Sequence, residues 1–357
     1  YDVSSSVPLQ GAFYSSTSYH KPVFNYFREE EELDLSVILQ PEDTENEKEV
    51  LKDTNLVSIR NQPEFLTNKS PDQPTNRICT SLFQRDRMAF LLQYAIAYVK
   101  EKRGLQKHIM RYPQIFATKA IESKLDAGVK KGVIWHTQGS GKTALSYYNI
   151  KHLTDYFQKR SVVPKFYFIV DRIDLLIQAS REFTARGLTV HKIESRDAFS
   201  RDIKSTSVIH NDSGKAEITV VNIQKFKDDP DVVRNKDYNV NIQRVYFMDE
   251  VHRSYNPKGS FLANLNESDA NAIKIGLTGT PLLNDSFKKL FGDYIHKYYY
   301  NSSIADGYTL RLIREEIETN YKLSLQEALK EIEILKGNSD KRVVYSHPKF
   351  VEPMLKY

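Results

Sequence analysis

The sequence predicts an α/β fold in which a parallel sheet lies between helices on both faces. Three observations lead there. Five short, uniformly apolar runs recur in one region: GVIW (132–135), FYFIV (166–170), ITVVN (218–222), RVYFM (244–248) and KIGL (274–277). Longer amphipathic segments separate them, and the first run leads through a glycine-rich turn, HTQGSGKT (136–143), into the helical pattern ALSYYNIKHLTDYF. Uniformly apolar runs suit strands covered on both faces, and strands alternating with helices close as parallel units.

The totals bound the answer. The chain has 357 residues, of which 40% are hydrophobic, enough for a real core and for two or three domains. Cys79 is the single cysteine, which excludes an intrachain disulfide or a cysteine-based zinc cluster and fits a reducing cytoplasm; it reads as a small buried hydrophobe. The most apolar stretch, Ala89 to Val99, is interrupted by Gln93 and is shorter than the ~18 residues of a membrane span. The first residues, YDVSSSVPLQ, have neither an initiator methionine nor a secretory signal, so an internal piece of a longer protein is expected. Net charge is +5, but residues 1–75 carry 14 acidic and 6 basic residues and the remainder 32 acidic and 45 basic. The larger, basic part is compatible with a polyanion partner.

Along the chain, residues 1–75 mix short aromatic runs with the glutamates Glu29 to Glu32 and a stretch rich in proline and asparagine. Irregular structure or a domain remnant ending in a linker is expected, with the glutamates as a solvated face. Residues 81–103, SLFQRDRMAFLLQYAIAYVKEKR, have near-helical apolar spacing without internal glycine or proline and predict a helix with one buried face. The alternating region follows, and after Tyr300 the pattern is mostly helical. Three segments are expected: 1–75 as an N-terminal remnant or connector, 76–300 as the nucleotide-binding domain, and 301–357 as a passage beyond it.

HTQGSGKT follows a strand and precedes a helix, the setting of a phosphate loop. Gly139 and Gly141 let amides turn inward, Lys142 can reach the β and γ phosphates, Thr143 can offer its hydroxyl to Mg²⁺, and the helix terminus adds its dipole. Thr137, Gln138 and Ser140 complete the candidate ATP-binding loop, although His136 stands where the full pattern has glycine. In RVYFMDEVHRS, Asp249 and Glu250 close an apolar strand 107 residues after Lys142. Acids at that end of a parallel sheet can hold Mg²⁺ and deprotonate an attacking water; alternatively they merely cap the strand. The first reading makes Lys142, Asp249 and Glu250 catalytic, with Thr143 and Asp249 holding Mg²⁺.

The quartet DEVH with His252, followed by GLTGTPLL (276–283), resembles superfamily 2 helicases and translocases, in which the early glycine is often missing. That resemblance implies a RecA-like domain in which His252, Thr278 and Thr280 couple the γ-phosphate to the nucleic-acid cleft. RYPQ (111–114) is similar to an adenine-reading motif in which Gln114 pairs with the base and Arg111 or Tyr112 stacks. FIVDRIDLLIQASREF and VVNIQKF resemble motifs that meet the DNA backbone, through Arg172, Gln224 and Lys225; Gln178 is either a helper there or a helix-surface residue, and Lys225 either a contact or an ordinary solvated lysine.

The combination WHTQGSGKT, FYFIVDRIDLLIQ, VYFMDEVHRS and IGLTGTPLL resembles the restriction (R) subunit of type I restriction-modification enzymes over about residues 76–300. The resemblance implies an ATP- and Mg²⁺-dependent motor that translocates double-stranded DNA toward methylation (M) and specificity (S) subunits before cleavage. The family's nuclease signature, an aspartate followed by a Glu-x-Lys strand, is not evident upstream. A second motor domain, source of the arginine finger, has no room. The chain alone is therefore expected to lack nuclease activity and full ATPase activity. A stand-alone superfamily 2 helicase or remodelling ATPase, and a non-motor nucleotide switch, remain the alternatives.

Overall fold

The computed structural model describes residues 11–16, 23–34, 43–68, 80–102, 104–204, 215–222, 242–251, 271–280 and 290–310, with single positions besides. The chain divides into a unit Tyr1–Thr309 and a unit Leu310–Tyr357; only isolated positions of the second are described. In the first, the elements are β1 (Gly11–Ser16), β2 (Val23–Arg28), α1 (Thr44–Asp53), α2 (Pro63–Asn68), α3 (Arg85–Phe90), β3 (Ile96–Glu101), β4 (Gly104–Ile109), α4 (Tyr112–Asp126), β5 (Lys131–His136), α5 (Lys142–Gln158), β6 (Val163–Val170), α6 (Ile173–Ala185), β7 (Thr189–Ile193), α7 (Arg196–Lys204), β8 (Glu217–Asn222), β9 (Ile242–Met248), β10 (Ile273–Thr278), β11 (Tyr294–Tyr298) and α8 (Tyr300–Ala305).

All five apolar runs are strands of one seven-stranded sheet in the order β11-β5-β10-β9-β6-β8-β7. Each neighbouring pair is parallel. Period-two alternation divides the strands between two cores. Phe166, Phe168 and Val170 of β6 join Leu145 and Leu153 of α5 and Phe183 of α6 on one face. Tyr167 and Ile169 join Tyr246, Met248 and Phe199 on the other. The sheet is thus an α/β layer structure of the expected class. The strands β7 (TVHKI) and β11 (YIHKY) were not foreseen; they are the two edges and carry polar residues among apolar ones.

The helix expected over 81–103 is corrected. Only Arg85–Phe90 is α-helical; a π-helical turn, Leu91–Ala95, then delivers the chain into β3, which pairs antiparallel with β4. Ala97 and Val99 enter the core while Tyr98 remains exposed. The partner GLQKHI supplies the hydrogen bonds, and tertiary pairing overrides a helical spacing that was equally readable locally.

Of the two N-terminal expectations, irregular structure does not hold for residues 11–16 and 23–28, which are strands. β1 and β2 form an antiparallel pair, and Tyr26 and Phe27 lie in a third core with Tyr112, Phe116, Tyr148 and Tyr298. The glutamates are a solvated face only in part: Glu30 and Glu32 are exposed, and Glu29 and Glu31 are half-buried. Glu29 and Glu31 both bind Arg87, Glu31 also binds Lys119, and Glu30 binds His296.

Candidate nucleotide site

Because all strands of the large sheet run in one direction, their C-terminal ends share one edge. The register aligns Thr278 with Trp135, and Met248 with Gly276 and Ile169. The residues that follow β5, β9, β10 and β6 are therefore brought together: the glycine-rich loop, Asp249–Glu250, Gly279–Thr280 and Asp171–Arg172. This edge is where open parallel sheets bind ligands.

A cleft of about 470 Å³ lies there, lined by Gln138, Gly139, Gly141, Lys142, Thr143, Gln178, Asp249 and Glu250 with an apolar wall of Phe168, Leu175 and Ala179. Gly139 and Gly141 have φ of 77° and 83°, the left-handed region that favours glycine. Gly141 is also the N-cap of α5, so free amide donors and the positive helix end face the loop. Gly279, within the quoted TGTP motif but not singled out from sequence, is placed by close approach: a Cβ there would stand 3.2 Å from Gln138 Cγ and 3.5 Å from Lys142 Nζ.

Lys142 Nζ donates to the His136 carbonyl at 3.4 Å, a long bond easily exchanged for a phosphate oxygen. The Asp249 amide donates to Ile169 O at 2.9 Å, fixing the carboxylate's exit from the sheet. Burial and then the neighbouring Glu250 push the Asp249 carboxyl up to about 6, against the pull of Lys142. Glu250 has φ 49°, a conformation that costs a non-glycine residue about 1 kcal/mol and turns the chain sharply after β9. Ser140 Oγ donates to Thr137 O at 2.6 Å, closing the loop on itself. Thr278 Oγ1 donates to Thr280 O at 2.9 Å and accepts from Thr280 N–H at 3.1 Å.

Gln114 is placed against the loop. Its Oε1 accepts from the Arg111 amide and its Nε2 donates to Gly141 O, each at 2.9 Å. Arg111 reaches Gly139 O at 3.3 Å, and its guanidinium lies 4.4 Å from the Tyr308 ring centre. Tyr112 is buried, with its hydroxyl on Asp306. Arg172 stands at the N-cap of α6, half exposed. His252, Gln224, Lys225 and Cys79 lie outside the described residues.

Hard divalent cations that accompany triphosphates need only one or two protein oxygens, the rest coming from phosphates and water. Asp249 and Thr143, which both line the cleft beside the glycine loop, fit that requirement. Among the described residues there is no cluster of three or more His, Cys, Asp or Glu that could hold a metal ion on its own, and no helix long and apolar enough to cross a membrane.

A parallel sheet with a glycine loop, a lysine and two acids at one edge is the arrangement of phosphate-loop nucleotide-binding proteins. The chain matches the SWI2/SNF2 ATPase family over residues 113–342, well over half its length, and belongs to that family. Its curated relatives are endonuclease subunits of type I restriction enzymes. It is 26% identical over 299 residues to the putative MjaVIIIP endonuclease subunit of Methanocaldococcus jannaschii, covering 74% of this chain and 28% of that one. It is 27% identical over 265 residues to the HindI endonuclease subunit of Haemophilus influenzae, covering 69% and 24%. The chain thus spans about a quarter of the length of these relatives. Among solved structures it is similar to a fragment of a putative HsdR subunit of a type I restriction enzyme from Vibrio vulnificus YJ016, with 19% identity, a TM-score of 0.37, and coverage of 75% and 46%.

Proposed function

We propose that this chain is the ATP-binding motor domain of a type I restriction endonuclease R subunit, coupling Mg-ATP hydrolysis to translocation along double-stranded DNA. The observation that carries the reading is the convergence of Lys142, Thr143, Asp249 and Glu250, from two distant segments, on one cleft at the sheet edge. In this role Lys142 leaves the His136 carbonyl for the β and γ phosphates, and the loop amides bind the β phosphate. Thr143 and Asp249 hold Mg²⁺, whose charge offsets that of the phosphates. Glu250 takes the proton of the attacking water, while Gln114, clamped to Gly141, reads the adenine.

Thr278, Thr280 and His252 connect this site to the DNA, and Arg172, Gln224 and Lys225 meet the backbone. The M and S subunits supply recognition, and the assembly works in the cytoplasm. The resemblance in motif order and the type I relatives favour this reading over a stand-alone helicase or remodelling ATPase. The test is ATP turnover by the complete gene product, with and without M and S subunits and with linear duplex DNA, RNA or neither, together with displacement of a triplex-forming strand downstream of the recognition site. Turnover and triplex displacement that both require M and S subunits are expected; ATPase activity stimulated by DNA ends or RNA without those subunits would reject the assignment.

A further inference from the structure

We infer that Glu30 and His296 are positioning residues of the glycine-rich loop, acting through the side chain of His136. The inference rests on the reading of the cleft as an ATP site and extends it to two residues that do not line the cleft.

His136 ends β5 and begins the loop. Its carbonyl accepts from Lys142 Nζ, while its imidazole is fully buried beside His296 and Tyr298. His136 Nε2 lies 2.7 Å from His296 Nδ1, and His296 Nε2 lies 2.7 Å from Glu30 Oε2. A carboxylate only accepts, so His296 Nε2 must donate to Glu30. In neutral His296 this leaves Nδ1 as an acceptor, and His136 Nε2 must then be the donor. The direction of the chain is thereby set from the Glu30 end.

The other nitrogen of His136 supports this order. Nδ1 is buried and has no hydrogen-bond partner among the described residues. With the hydrogen on Nε2 it is a bare lone pair; with the opposite tautomer it is a stranded N–H, the rarer and costlier arrangement in protein interiors. Without Glu30, either ring can donate across the His136–His296 contact, and one of the two arrangements strands that N–H.

The same edge strand holds the loop by its main chain, since the Thr137 amide donates to Tyr298 O at 3.0 Å. Glu30 in turn is held in place by its neighbours. Arg28 pairs with Asp306, and Glu29 and Glu31 pair with Arg87. The N-terminal segment is therefore connected to the residue whose carbonyl holds the phosphate-directed lysine.

The test compares Glu30→Ala, Glu30→Gln and Lys119→Ala in the full chain. Lys119→Ala removes an ion pair to Glu31 in the same segment and leaves the relay intact. Mg-ATP affinity is measured by titration, folding by thermal melting, and the tautomers of His136 and His296 by long-range proton–nitrogen correlation in histidine-labelled protein. Glu30→Ala should weaken binding about fivefold and give His136 mixed tautomers. Glu30→Gln, whose amide oxygen can still accept from His296, should restore both. Lys119→Ala should change only the melting temperature. Wild-type affinity with unaltered His136 signals in Glu30→Ala would overturn the inference, as would a hydrogen on His136 Nδ1 in the wild type. If Glu30→Ala fails to fold, the wild-type and Glu30→Gln tautomers decide. A wild type that binds no nucleotide would reject the ATP-site reading instead, and the inference with it only if the tautomer is also wrong.

Discussion

The nucleotide cleft and the N-terminal collar around Glu29–Glu31 lie in the same unit and are built on opposite principles. In the cleft, positive-φ glycines, a half-buried carboxyl raised to about 6 and a lysine on a long bond leave polar capacity directed at a void. In the collar, charged groups pair with one another, although among the described residues Arg87 Nε and Nη1 and Glu29 Oε2 are buried without a hydrogen-bond partner. The Arg87 side chain is 0% exposed, binds two glutamates and lies 4.8 Å from the Phe116 ring centre. Asp306, with a side chain also 0% exposed, accepts from Tyr112, Tyr298 and Arg28. Burial and the bond to Asp306 raise both tyrosine hydroxyls far above their usual range. A region optimised for a ligand holds strain and unfavourable charge at an open cleft, whereas the collar pairs its charges with one another and leaves only single atoms of them unpartnered among the described residues.

The comparison can be tested by substitution, beginning with the largest effect. Lys142→Ala should reduce DNA-stimulated ATP turnover of the complete protein by at least about a hundredfold, since charge stabilisation at phosphate is lost, with melting unchanged; ordinary turnover would remove the loop from the site. Glu250→Gln should lower turnover on a similar scale while Mg-ATP binding persists, and loss of binding would assign Glu250 a structural role. Arg87→Met should destabilise by about 2–4 kcal/mol in urea unfolding, because Glu29 and Glu31 lose their buried partner.

Asp249→Asn should do the opposite in nucleotide-free protein. The folded carboxyl titrates near 6, above its usual 3.8, so the folded state binds the proton more tightly. Its charged form is then a penalty, absent below about pH 3 and complete above about pH 7. The amide should therefore add about 1–2 kcal/mol at pH 7 and nothing at about pH 3; a loss of stability at pH 7 would contradict the contrast between the regions. Lys48→Ala, breaking an exposed i,i+3 pair with Glu45, should change stability by less than about 0.5 kcal/mol.

What could be read in advance follows the same division. GVIW, FYFIV, ITVVN, RVYFM and KIGL are all strands, and the loop between GVIW and its helix has the backbone that its glycines require. Gln178 lines the cleft from the exposed side of α6, which fits either of its two readings. The hairpin β3–β4 was hidden because AFLLQYAIAYV satisfies helical spacing as well as a strand pattern from Ile96 onward. The collar was hidden because a glutamate run has no local signature distinguishing solvent from a buried arginine.

The sequence by itself determined the apolar strands, the turn glycines and the acids at a strand end, since each depends on φ/ψ preference or on side-chain period within a few residues. Tertiary structure alone decided which strand ends meet, and that His136 bonds His296 160 residues away and Tyr26 bonds Tyr308 282 residues away. Such pairings depend on sheet order and register, which follow from the total burial of both faces and cannot be evaluated one segment at a time.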